Sequence, residues 1–460
     1  MRPPPGVLRL PASWFLPGLA GALLWPAAGP SPATAAVAVH LNFTADLHDG
    51  AGNAASNGTA DWIDELNQMT TALGIAAFSP AERAGIEAEI LSQVRTVYTG
   101  YSVTFDTVPP ETTPYDTIYV GYDNDTAEFP AGTLGFAYLD IANIFAGQTA
   151  NVAPANFDFI IEVAEPRSTQ MAELATALAG TAAHELGHTF GLLHHDAYSD
   201  PGITPANYGS TGGLQNQYIM ATGPTGLDET GRETLRTFAP WEKAVFDVTG
   251  AAADVYTTYA NQSLVASPVP LDITEWGTDA GSTLGTALPL SLNAGATSGF
   301  DLAFIAGDLE QTTADVDVYS LYVSSPGRLV AEAFSANLPY EEINKFDVAI
   351  ELLDPSGTVL ASNDDLFYYG NLFNAGFKQQ EDACLLNIPL AAAGTYYLRV
   401  APSASPDLPA EASVDNVYWL LTGVMLDVVP EPGALSLLAL TGALGLAGRR
   451  GRGRSRRPAR

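Results

Sequence analysis

The chain reads as an α+β protein in two parts: a mixed five-stranded sheet with helices, followed by an all-β sandwich. Three observations point there. A sharply capped helix start at residues 79–82 stands among short β-rich runs. An alanine-rich helical stretch, 171–183, runs into a histidine cluster at 184–196. From about residue 281 to 427 the helical period is lost, and short β segments alternate with turn residues.

Taken in order, residues 1–35 carry Arg2 and Arg9, an apolar stretch at 14–28, and Ala33-Thr34-Ala35. This is the layout of a secretory signal peptide; the alternative is an uncleaved anchor, against which Pro26, Pro30 and Pro32 argue. The first part, 36–250, opens with a strand at 37–43 that holds His40; His48 follows it. Both histidines read as ordinary strand or loop residues. Ser79-Pro80-Ala81-Glu82 is a capping box with proline at the first helical position. Ile86, Ile90 and Val94 then recur every four residues, widened by Leu91 and Val97, so one helix face should pack on the sheet. Strands are expected at 101–105, 117–121, 134–139 and 157–163. Asp123 and Asp125 lie in an acidic loop, either a solvated turn or a candidate calcium site. A long helix should start after Pro166 with Ser168 as N-cap, and a last helix at 241–248.

The chemistry concentrates in His184-Glu185-Leu186-Gly187-His188, continuing through Gly191 to His194-His195-Asp196. Four of the six histidines lie here. Helical residues four apart differ by roughly 40° about the axis, so His184 and His188 share a face and can bind one metal ion. Glu185 sits on the same turn, able to act on a water without ligating the metal. Gly191 lets the backbone leave the helix in a left-handed conformation, after which His194 can return as a third nitrogen. Three imidazoles and one open position suit a catalytic Zn2+. His195 is the alternative third ligand, and Asp196 a candidate acceptor behind a ligand histidine.

HExxHxxGxxH followed by Tyr218-Ile219-Met220-Ala221 resembles the metzincin metallopeptidases. That resemblance implies a zincin-like catalytic domain, Met220 as the hydrophobic floor beneath the zinc ligands, and Glu185 as general base. It also implies an edge strand that receives the substrate, for which 134–139 is the candidate.

Residues 251–280 read as a linker. In 281–427, strands are expected at 316–323, 329–334, 348–353, 358–361, 395–400 and 417–424, the spacing of an antiparallel sandwich. The strings DVDVYSLYV, IELLDPSGTVLASNDD and PLAAAGTYYLRV resemble the bacterial pre-peptidase C-terminal domain, a β-sandwich appended to secreted peptidases. Asp315 and Asp317, with Asp364 and Asp365, are either exposed turn carboxylates or candidate Ca2+ ligands.

The end, 428–460, has Pro430-Glu431-Pro432, an apolar run at 433–448 and seven arginines from 449 on. It resembles the PEP-CTERM sorting signal of Gram-negative bacteria, which implies an exosortase-like partner, transient inner-membrane anchoring and a cell-surface or matrix location. A simple transmembrane anchor is the alternative. Nine of the 19 basic residues and none of the 51 acidic ones lie in residues 1–35 and 433–460, so residues 36–432 carry about −41. Such a surface repels nucleic acid and anionic membranes, leaving the C-terminal helix as the one membrane contact. Cys384 stands alone, so no intramolecular disulfide forms. The reading is an exported zinc-dependent endopeptidase acting on protein or peptide substrates. Its rival is a non-catalytic surface or matrix protein that uses a zincin scaffold and the sandwich for adhesion or polysaccharide binding.

Overall fold

The computed structural model describes residues 36–47, 56–111, 114–121, 132–138, 140, 143, 146–192, 216–221, 227–250, 263–274, 279–309, 315–335, 348–364, 383–403 and 416–427. Five strands form the first sheet: β1 (Val37–Asn42), β2 (Val103–Asp106), β3 (Asp116–Val120), β4 (Gly135–Ala137) and β5 (Thr149–Val152). Their order is β2-β1-β3-β5-β4, parallel except for β4, which runs antiparallel to β5 at the sheet's end. The expected strand at 157–163 is corrected. The chain forms a 3-10 helix, Pro154–Ile160, and the fifth strand lies just before it at Thr149–Val152. Pro154 accounts for the change, since it cannot donate to a ladder but suits the first turn of a helix.

Helix α1 (Asp61–Leu73) buries Trp62, Leu66 and Met69 and ends at Gly74 in the left-handed region, φ 66°. Helix α2 (Pro80–Val97) starts with the capping box as expected and buries Ile86, Ile90 and Val94. The long helix α3 (Arg167–Thr189) begins one residue before Ser168; its N-cap is Pro166, whose carbonyl accepts from Thr169 and Gln170. Arg167 is held there by an ion pair with Glu82 at 2.9 Å and by the Phe78 ring beneath its guanidinium. From Leu174 to Thr189 every residue of α3 is buried. Small alanine side chains let its neighbours approach closely on all sides. A short helix, α4 (Glu229–Arg232), and α5 (Pro240–Val248) complete this half.

Within the stretch read as linker, Leu264, Val265 and Val269 are buried, Leu264 O accepts from Ser102, and Val269 donates to Asp247 O. The second half adds β6 (Leu271–Asp272), β7 (Leu288–Pro289), β8 (Asn293–Ala294), β9 (Asp301–Leu309), β10 (Asp317–Val323), β11 (Gly327–Ser335), β12 (Val348–Leu353), β13 (Val359–Asn363), β14 (Ala383–Leu390), β15 (Gly394–Pro402) and β16 (Asn416–Leu426). They make two sheets, β13-β12-β15-β10-β7 and β14-β11-β16-β9-β6, the long neighbours antiparallel.

The second of these sheets is covered on both faces. Ala303, Ile305, Leu329, Ala331, Leu385 and Leu420 face the partner sheet. Leu302, Phe304, Val330, Cys384, Trp419 and Leu421 join the core of the first half, with Trp241 and Phe246. Polar groups lock the seam. Trp241 Nε1 donates to the buried Glu332 at 3.2 Å, and the buried Asp247 carboxylate accepts from Thr297 N, Thr297 Oγ1 and Ser298 N. Among the described residues no helix is long and apolar enough to cross a membrane; the run 433–448 lies outside them.

Phe304 sits edge-to-face on Trp419 in this common core, their centroids 6.0 Å apart. Phe304→Ala should cost about 3–5 kcal/mol, read as a lower urea midpoint of one cooperative transition. Two separate transitions in the parent protein would instead mean that the halves unfold independently.

Asp116, at the start of β3, is 1% exposed and accepts from Gly147 N at 3.1 Å and Gln148 N at 2.8 Å. Burial pushes its pKa up to about 7, against those two donors. Its unfolded value is about 3.9, so its contribution to stability is full below that pH and is lost as pH rises through about 7. The urea midpoint should therefore fall between pH 5 and pH 8. Asp116→Asn, which keeps an acceptor for both backbone donors, should flatten that fall.

Candidate metal centre

The last turns of α3 build the site from main-chain geometry. The helix ends at Thr189, and Gly191 takes φ 94°, the left-handed turn that its sequence position suggests. Leu192 N then bonds to Gly187 O and Gly191 N to His188 O, the paired bonds of a Schellman motif. This turn has a chemical consequence. It brings Leu192 O within 2.7 Å of His188 Nδ1, which donates to it.

His184 is oriented by a second carbonyl. Its Nδ1 donates to Ile219 O at 2.9 Å, so the segment expected as the methionine turn lies directly against the helix. That segment is itself pinned: Ile219 N bonds to Thr237 O and Thr237 N to Gln217 O. Met220 is fully buried, and its sulfur rests on Gly187, where an added Cβ would come within 2.7 Å of it.

With both Nδ1 atoms committed as donors to carbonyls, each ring in its neutral form presents a lone pair at Nε2. Burial lowers the His188 pKa to about 4, so that ring is neutral at physiological pH. The two Nε2 atoms face one another at 3.2 Å, the ring planes 88° apart. Two imidazole Nε2 atoms converging on one point are the donors that zinc takes. The pair therefore fits a metal, and the fixed tautomers are those a metal requires.

Glu185 is buried, which pushes its carboxyl well above the usual range. It lies between α3 and the end strand β4. Gly135, the first residue of β4, permits this contact, since a Cβ there would meet Glu185 Oε1 at 2.5 Å and Thr181 Cγ2 at 2.8 Å. Asp140 N donates to His188 O at 3.0 Å, tying the segment after β4 to the helix end. On the other side, Tyr98 OH donates to Ala183 O, its ring packed among Phe190, Phe238 and Phe246.

The structure thus brings together His184, Glu185, His188 and Met220. His194, His195 and Asp196 lie outside the described residues, as do Asp123, Asp125 and Asp365. Among the described residues no three His, Cys, Asp or Glu side chains gather as a metal-binding group. Asp315 accepts from Val316 N, while Asp317 is buried and accepts the Tyr418 hydroxyl at 2.6 Å. Asp364 is exposed on the sandwich. Sequence reasoning missed the carbonyls of Ile219 and Leu192, the close glycines at 135 and 187, and the buried Arg236. Only the glycines carry a sequence signal, and it becomes legible only beside Glu185 and Met220.

Gly187→Ala should drive Met220 off the helix, with a stability loss of roughly 1–3 kcal/mol. Thermal unfolding together with metal content measures this. Unchanged values for both would mean that the methionine is not held as described.

Residues 315–402 match the family described as the bacterial pre-peptidase C-terminal domain. The β-rich C-terminal region resembles such a domain. Among solved structures, the chain is similar to the pre-peptidase C-terminal domain of a collagenase from Bacillus anthracis. The identity is 17% over 26% of this chain and 86% of that one, with a TM-score of 0.18. It is also similar to Aeromonas hydrophila PliG, a periplasmic lysozyme inhibitor of g-type lysozyme. There the identity is 13% over 30% of this chain and 94% of that one, with a TM-score of 0.19. No curated protein matches the chain.

Proposed function

We propose that the chain is an exported, zinc-dependent endopeptidase. The observation that carries this reading is the convergence of the His184 and His188 Nε2 atoms at 3.2 Å beside the buried Glu185 carboxyl. The pre-peptidase C-terminal match adds support, because domains of this kind are typically found in secreted proteases. His184 and His188 would hold the metal, with His194, or alternatively His195, as third donor. Zinc, when bound, supplies Lewis acidity, which lowers the pKa of water and polarises a carbonyl.

The chain's own groups supply the rest. Glu185, as the carboxylate, takes a proton from water and returns it to the leaving amine. The strand β4, last in its sheet and in contact with Glu185, would align an extended peptide as an added strand. Met220 and Gly187 keep the helix end from shifting. The hydrogen bonds to Ile219 O and Leu192 O keep both imidazoles in the ligand tautomer. Residues 1–35 would direct export, and 428–460 would serve surface sorting by an exosortase-like enzyme.

The test is cleavage of an unfolded protein by the purified chain beside Glu185→Ala, with zinc quantified in both. Zinc in both proteins is expected, with cleavage lowered at least about 100-fold in the variant. Equal cleavage by the variant would overturn the role of Glu185. Zinc in neither would remove the metal reading. Zinc in both with cleavage by neither would favour the binding-protein alternative.

A further inference from the structure

Arg236 is 3% exposed, and burial lowers its pKa to about 9, so it stays cationic at neutral pH. Burying a guanidinium is costly unless its donors are met. Here neutral acceptors hold it. Nη1 donates to Tyr218 O at 3.0 Å and to Ile219 O at 3.2 Å, while Glu242 acts on it only through space. Among the described residues its Nε has no hydrogen-bond partner. The Ile219 oxygen is the one that receives the His184 Nδ1 proton at 2.9 Å. One carbonyl therefore joins the guanidinium to the imidazole.

Two local features bring Arg236 there. Its neighbour Thr237 exchanges backbone bonds with Gln217 and Ile219, which sets the register of the two segments. Gly180 opens the surface of α3: a Cβ at that position would stand 3.2 Å from Nη2. Gly180 lies four residues before His184, so the guanidinium rests one helical turn from that histidine on the same face.

We infer that Arg236 is a positioning residue for the metal centre: it fixes the Ile219 carbonyl and thereby the direction of His184 Nε2. A carbonyl oxygen has two lone pairs. Occupying one with a rigid, planar donor leaves the other aimed at Nδ1. The inference rests on the reading of His184 as a metal ligand.

The test uses the full-length chain and Arg236→Met, which keeps an unbranched apolar stem and removes the donors. Zinc affinity is measured by chelator competition, the visible spectrum is recorded with Co(II) in place of zinc, and apo-protein unfolding is followed by circular dichroism. The variant should bind zinc 10–100-fold more weakly and show an altered cobalt spectrum. Arg236→Lys, with its charge kept but its fork lost, should fall between the two. A folded Arg236→Met with parental affinity and spectrum overturns the inference. If Arg236→Met does not fold, Arg236→Lys decides: zinc binding at least threefold weaker supports the role, and parental binding overturns it. Failure of the parent protein to bind zinc or cobalt would sink the metal reading itself, a result distinct from either.

Discussion

Two backbone carbonyls, Ile219 O and Leu192 O, determine where the two helical imidazoles point, and much of the first half is built to hold those carbonyls still. Leu192 O is placed by a helix-ending turn that needs positive φ at Gly191. Ile219 O is placed by a segment from far down the chain, paired with Thr237 and gripped by Arg236. A neutral imidazole has one donor and one acceptor nitrogen. Fixing the donor at a carbonyl exposes the acceptor, and doing so twice, one helical turn apart, sets two acceptor nitrogens face to face.

Close packing supports this orientation. Gly187 lets Met220 sulfur touch the helix backbone between the two histidines, and Gly135 lets β4 reach Glu185. Behind the helix, Tyr98 and a set of edge-to-face rings fill the space up to α5. The sandwich then continues the same core through Phe304 and Trp419, so the far side of α5 is also buried in apolar contacts. Rigidity at the histidines thus extends through a continuous set of packed groups into the second half.

Much of the first half was legible because its signals are local. Ser79 to Glu82 contain a complete helix start, and Ile86, Ile90 and Val94 are buried as their spacing requires. Helix α1 went unread because no capping side chain precedes it; its N-cap is Ala60. The stretch at 157–163 has strand-like composition, yet Pro154 and the tertiary contacts of Phe157 and Ile160 make a 3-10 helix of its start. Strands β9 and β14 went unread for a different reason. Both are apolar on successive residues, as strands buried on two faces are, and alternation cannot reveal them.

Residue types and short-range spacing were enough to determine the helix starts, the shared face of His184 and His188, the turn at Gly191 and the β character of residues 281–427. Each depends on bonds between residues a few positions apart. Only the tertiary structure decided that Ile219, 35 residues beyond His184, orients that histidine. It also decided that Arg236 grips the same carbonyl, that β4 lies against Glu185, and that one sandwich sheet is enclosed on both faces. These are contacts between backbone groups or between distant segments. A backbone carbonyl has no sequence identity, and the partner of a buried face is chosen by shape and register once the chain has collapsed.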